Sequence, residues 1–221
     1  MRFKIDLKIF LFLLLFYFTN QIGTYILILA FAVLHELGHL ACGLFLGMKP
    51  NKMELKPYGV SISFKLNTKD YNRKIGKGNL LEIKKIVVAL AGPITNLIII
   101  LIALQYNMNV FLGLKIIYSN LLLILFNLLP FYPLDGGRIL ESVLHIICGK
   151  RKAEVYTNRI SFITLIIITF VASITIFYVQ NVAIFLVIIF LWILHIKEDR
   201  VYRRRDKIYK LIEKTIEIKA N

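Results

Sequence analysis

Six apolar runs, at about 7–19, 24–47, 86–105, 116–134, 160–178 and 181–196, divide this chain, and its charged residues are collected in blocks between them. That is the pattern of a polytopic helical protein. With 221 residues, 58% of them hydrophobic, and a mean hydropathy of +0.71, the chain lies well outside the soluble globular range. The expected fold is an all-α polytopic membrane protein of about six transmembrane helices. One six-span domain, 1–196, takes nearly the whole chain, and a basic amphipathic tail, 197–221, follows it.

Charge sets the expected orientation. With the N-terminus inside, the cytoplasmic pieces 1–8, 48–85, 135–159 and 197–221 hold 3, 10, 5 and 9 of the 28 Lys and Arg residues, and only Lys115 falls outside. The external connections "TNQIG", "QYNMNV" and "YVQN" carry no basic residue, so a multi-pass protein of the cell membrane with both termini cytoplasmic is expected. The net charge of +15 then belongs to loops facing anionic lipid, and no motif points to nucleic acid. The start, "MRFKIDLKIFLFLLLFYFTNQIG", has a basic head and an apolar run but lacks a small-residue cleavage pattern, and reads as a retained anchor. Two cysteines, Cys42 and Cys148, make no disulfide framework.

The long loop 48–85 breaks the helical pattern. Met53 and Leu55 alternate before Pro57-Tyr58-Gly59, and Val60, Ile62, Phe64 and Leu66 alternate after it, which predicts a small β-hairpin. Such a hairpin could pair with an extended peptide or lie on the membrane interface with no substrate role; both stay open. In the tail, Val201, Ile208, Leu211, Ile212 and Ile216 recur at roughly helical spacing, as in a solvated or interfacial amphipathic helix.

Chemistry enters in the second run, "ILAFAVLHELGHLACGLFLG". His35 and His39 stand at i and i+4, so on a helix they project from one face and can share one metal ion. Glu36, one step after the first histidine, can act as general base on a bound water rather than as a ligand. A charged side chain at mid-bilayer costs about 2.5–3.5 kcal/mol on an insertion scale, so three idle ionisable groups there are a poor alternative. Catalytic zinc takes three protein ligands and keeps an open position. The third candidate is Asp135 in "FNLLPFYPLDGGRIL", where Pro130 and Pro133 break the helix and Gly136 and Gly137 free the backbone. Read from residues alone, Asp135 could instead cap the following helix or pair with Arg138.

Together these residues resemble the site-2 protease family of intramembrane zinc metalloproteases. The resemblance rests on HELGH, on "AGPITN" at 91–96, and on Asn127, Pro130, Leu134, Asp135 and Gly136, which match an Asn-x-x-Pro-x-x-x-Leu-Asp-Gly pattern. Within the family the chain looks most like the stage IV sporulation protein FB subgroup, by its six spans, its "PYG" loop and its "NLLPFYPLDGGR". The 25 residues after 196 are too few for the nucleotide-sensing CBS domain that many members carry, so nucleotide regulation is not expected.

The resemblance implies one Zn2+ per chain inside the bundle, held by His35, His39 and Asp135, with Glu36 as catalytic acid/base. It places Asn127 at the substrate backbone or the developing oxyanion, although a bond stabilising the broken helix is an equal alternative. Asn96 reads as packing glue between helices, Cys42 as small-residue packing, and His145 and His195 as interfacial residues. The histidines would lie roughly 12–18 Å from the cytoplasmic end near Gly47, so water and substrate enter from that side. The implied reaction is cleavage of a membrane-associated protein near the cytoplasmic face, with a sporulation pro-sigma factor as one substrate. A membrane-protein regulator and a homo-oligomer remain open. The rival reading is a non-proteolytic metal-binding transporter or scaffold, in which a non-ligand Glu36 has no purpose and paired repeats are expected of a transporter.

Overall fold

A computed structural model describes residues 2–5, 17, 21–56, 59–65, 75–106, 110–179 and 182–220. It divides into two compact units, Met1–Leu128 and Leu129–Asn221.

The first unit carries strand β1 (Arg2–Ile5), helix α1 (Ile22–Phe45), strands β2 (Lys49–Lys56) and β3 (Gly59–Lys65), and helices α2 (Ile75–Gln105) and α3 (Val110–Asn127). Helix α1 is 24 residues long, about 36 Å, and apolar almost throughout, so it has both the length and the composition to cross a bilayer. Its end is fixed by Gly47 at φ +73°, a left-handed conformation that side chains disfavour. There Gly47 N–H donates to Leu44 O at 2.9 Å and Met48 N–H to Gly43 O at 2.9 Å, a Schellman cap that turns the chain directly into β2.

The expected hairpin is present: β2 and β3 pair antiparallel, from Lys49 opposite Lys65 to Lys56 opposite Gly59. Pro57 and Tyr58 of its turn lie outside the described residues. One strand was not foreseen. β1 runs parallel to β2, Arg2 opposite Lys52 through Ile5 opposite Leu55, which makes β2 the central strand. The sheet is tied to α1 where the Phe64 ring covers Gly43 so closely that a Cβ there would come within 2.3 Å of it.

The second unit holds α4 (Asp135–Cys148), α5 (Lys150–Val179) and α6 (Val182–Ala220), entered through a non-helical stretch at 129–134. The fourth apolar run is helical only to Asn127 and then breaks, as its prolines require. Phe131, Leu165 and Leu191 are completely buried and form the core of this unit. Ion pairs and hydrogen bonds join α5 to α6: Arg205 to Glu154 at 3.0 Å, Asn158 to Asp199 at 3.0 Å, Trp192 Nε1 to Thr169 Oγ1 at 3.1 Å, and Arg151 to Glu213.

Among the described residues there are six helices, and three segments are long and apolar enough to cross a membrane: Ile22–Phe45, Asn79–Gln105 and Lys150–Tyr178. Leu112–Asn127 is a shorter apolar helix. The run at 7–19 lies outside the described residues except for Tyr17. The last run continues past 196 without a break: α6 is 39 residues long, so the boundary drawn at 196/197 falls inside one helix.

Candidate metal centre

The i, i+4 spacing does on α1 what helical geometry requires. His35 and His39 are both buried, at 3% and 4% exposure, and their rings stand edge to face with centroids 4.7 Å apart. Glu36 is half-buried and flanks them on the same turn.

The facing helix, α2, orients both rings. His39 Nδ1 lies 2.7 Å from the carbonyl oxygen of Val88, and His35 Nδ1 lies 3.0 Å from Asn96 Oδ1. Both partners are acceptors, so each Nδ1 carries the proton and each Nε2 presents a lone pair when the ring is neutral. The two Nε2 atoms converge on one place. An ideal Cβ on Gly92 would lie 2.4 Å from His35 Nε2 and 2.5 Å from both Nε2 and Cε1 of His39, so glycine lets α2 come close against both rings. Pro93, next along α2, removes one helical N–H donor in this stretch.

Asp135 belongs to the second unit. It is the first residue of α4, 4% exposed, and its carboxylate lies 3.8 Å from Arg138 Nη1. A negative charge at a helix N-terminus is favoured by the exposed peptide N–H groups and the helix dipole. The capping position itself is Leu134, so Asp135 is not the helix cap. Gly136 and Gly137 do not supply unusual backbone angles, as their motif suggests; both are helical, and Gly137 serves close approach. A Cβ there would sit 2.4 Å from the Phe131 carbonyl carbon and the Tyr132 nitrogen, so glycine lets the start of α4 pack on the preceding turn. That turn is anchored by Tyr132 N–H donating to Ser161 Oγ at 2.9 Å.

The remaining candidates are distributed as follows. Asn127, half-buried, donates from Nδ2 to Leu123 O at 3.0 Å on its own helix. Cys42 Sγ reaches the Val87 carbonyl at 3.8 Å, a packing contact between α1 and α2. His195, expected at the interface, is instead buried in the second unit, its ring stacked on Phe162 at 5.6 Å. His145 lies in the last turn of α4. Asn96 is the residue whose role the sequence hid: read as packing, it is fully buried and holds His35. Its signal was the same as that of the histidines, a polar side chain in an apolar run.

Residues 102–171 match peptidase family M50. The chain is 32% identical over 157 residues to a zinc metalloprotease of Methanocaldococcus jannaschii, an alignment covering 66% of this chain and 42% of that protein. The M50 match covers the Asn127 and Asp135 segment without the histidine pair, so it stands apart from the HELGH motif. A second relative is stage IV sporulation protein FB of Bacillus subtilis, 26% identical over 131 residues, 55% of this chain and 40% of that protein. The chain thus spans about two fifths of the length of these relatives. The fold is shared with the site-2 protease from Methanocaldococcus jannaschii, at a TM-score of 0.62 and 24% identity, over 90% of this chain and 91% of that one.

Zinc suits the donors that this chain offers. Two imidazoles whose Nδ1 atoms face acceptors keep Nε2 for a metal when neutral, the two Nε2 atoms lie together beside Gly92, and a buried carboxylate is a usual third ligand.

Proposed function

We propose that this chain is an intramembrane zinc metalloprotease of the site-2 type, in which His35, His39 and Asp135 hold one zinc ion and Glu36 moves the proton. The observation that carries the reading is the convergence of two tautomer-fixed Nε2 atoms in front of Gly92. Each of the three residues is buried and offers one ligand atom. Zinc bound there would supply Lewis acidity, polarising a peptide carbonyl and lowering the pKa of water. Glu36, beside the ligands but not needed as one, takes the proton of the attacking water and returns it to the leaving amine. The Nδ1 contacts to Val88 and Asn96 keep the imidazoles from rotating. Asn127 is placed by its motif to donate to the substrate backbone, for which its amide would exchange the bond to Leu123.

The substrate class is a membrane-associated protein cut near the cytoplasmic face, in a chain that crosses the bilayer six times with both termini cytoplasmic. The charge asymmetry of the loops and the family support this reading. The likeness to stage IV sporulation protein FB makes a sporulation pro-sigma factor the first substrate to try.

The decisive experiment is Glu36→Gln on the full chain, coexpressed with such precursors. Zinc should remain near one per chain while cleavage falls by at least about 10²–10⁴-fold, the usual contribution of a general acid/base. A variant that keeps its zinc and cleaves like the wild type would disprove the protease reading and favour a transport or scaffold role.

A further inference from the structure

Asn96 lies in the apolar stretch "AGPITNLIII" of α2 and has no exposed surface. Its Oδ1 faces His35 Nδ1 at 3.0 Å, yet its amide nitrogen has no hydrogen-bond partner. A buried amide with unused donors lowers stability, and leucine would fill a similar volume without that cost. Packing alone therefore does not account for asparagine at this position. An acceptor does. Facing an amide oxygen, Nδ1 has to carry the proton when the ring is neutral, which leaves the lone pair on Nε2, the atom that lies beside Gly92 and near His39 Nε2.

Val88, Gly92 and Asn96 stand at i, i+4 and i+8, so one stripe of α2 provides an acceptor for His39, a close approach to both rings, and an acceptor for His35, in that order. Val88 acts through its backbone carbonyl, which any residue supplies. Asn96 acts through its side chain, so it is the contact that substitution can remove. We infer that Asn96 is a positioning residue for the metal: it fixes the tautomer and ring plane of His35 before zinc arrives, at the expense of fold stability. This rests on the zinc reading above.

The test uses the full chain in detergent, with nitrogen-15 histidine, zinc removed, and only four histidines to assign. In the metal-free wild type, His35 should show the Nδ1–H tautomer. Asn96→Leu should lose that preference and bind zinc about 10–100-fold more weakly in competition with a chromogenic chelator, the usual effect of removing an orienting partner. Its thermal midpoint should stay level or rise, which a merely structural asparagine would not allow. Asn96→Asp keeps the acceptor and should restore both the tautomer and most of the affinity.

The inference is overturned if Asn96→Leu binds zinc like the wild type, if Asn96→Asp is no better than Asn96→Leu, or if metal-free wild-type His35 carries its proton on Nε2. A wild type that binds no zinc at all removes the metal reading, and this inference with it. Zinc binding without cleavage removes the protease reading alone.

Discussion

Both units of this protein bury polar side chains, but they do so differently. In the second, the polar groups are spread along the α5–α6 seam and most pair with one another, Glu154 with Arg205, Asn158 with Asp199, Trp192 with Thr169, while Thr157 Oγ1 and Arg205 Nε find no partner among the described residues. In the first, His35 and His39 converge on one place, and their partners on α2, an asparagine side chain and a backbone carbonyl, hold them facing it. Burial of a polar residue in an apolar protein does not by itself mark a site. What separates the two is whether the bonds close the group off or aim its remaining atom at a common point.

The largest expected effect on this contrast is at Gly92. In Gly92→Ala the new methyl would lie 2.4 Å from His35 Nε2 and 2.5 Å from His39 Nε2, well inside van der Waals contact, so the rings have to turn away. Zinc affinity should fall by at least about 100-fold, the upper end of the effect of disturbing ligand orientation. Alanine is favoured over glycine inside a helix by about 0.5–1 kcal/mol, so the loss should come without loss of helix stability. Chelator competition together with a thermal scan checks both halves. Undiminished zinc binding would mean that the metal does not need the close approach of α2 to the two rings.

The opposite result is expected in the second unit. Arg205→Met leaves the nearly buried Glu154 without its cation, and an unsatisfied buried acceptor costs about 1–3 kcal/mol. The thermal midpoint should drop while zinc stoichiometry is unchanged. Adding Glu154→Leu should recover part of the loss, since two apolar groups are tolerated where one orphaned charge is not. If Arg205→Met instead releases zinc, the seam is not merely structural and the contrast fails.

The histidine pair was legible because two independent constraints agree on it, helical spacing and the cost of ionisable groups in an apolar run. The break before Asp135 was legible because proline cannot continue a helix. The hairpin was legible from its period of two. Asn96 was legible as polar glue between helices, and its bond to His35 bears that out; which side chain it meets was not legible, because only the position of the facing helix decides. β1 was missed because four residues, "RFKI", carry too little pattern, and its partner strand begins more than forty residues away. The unbroken α6 was missed for another reason. Hydropathy marks where an apolar run ends, and a helix does not have to end there.

The smallest expected effect is a pH dependence confined to the seam. Burial tends to raise the pKa of Asp199, but the hydrogen bonds from Asn158 and Arg203, with the charges of Arg203 and His195, outweigh it and hold the carboxyl below its ordinary value of 3.8. A group whose pKa is depressed by folding contributes stability that is present above its unfolded pKa and lost as pH falls through the folded one. Asp199→Asn should therefore destabilise the fold slightly at neutral pH, by less than about 1 kcal/mol for a partly exposed pair, and lower the thermal midpoint accordingly. The difference from wild type should shrink as pH drops below about 4, where the wild-type carboxyl begins to take its proton. Zinc binding measured at neutral pH should be the same in both proteins. A gap between variant and wild type that stays constant across the acid range would show that Asp199 acts through shape rather than charge, and would leave the seam held by packing and its other bonds.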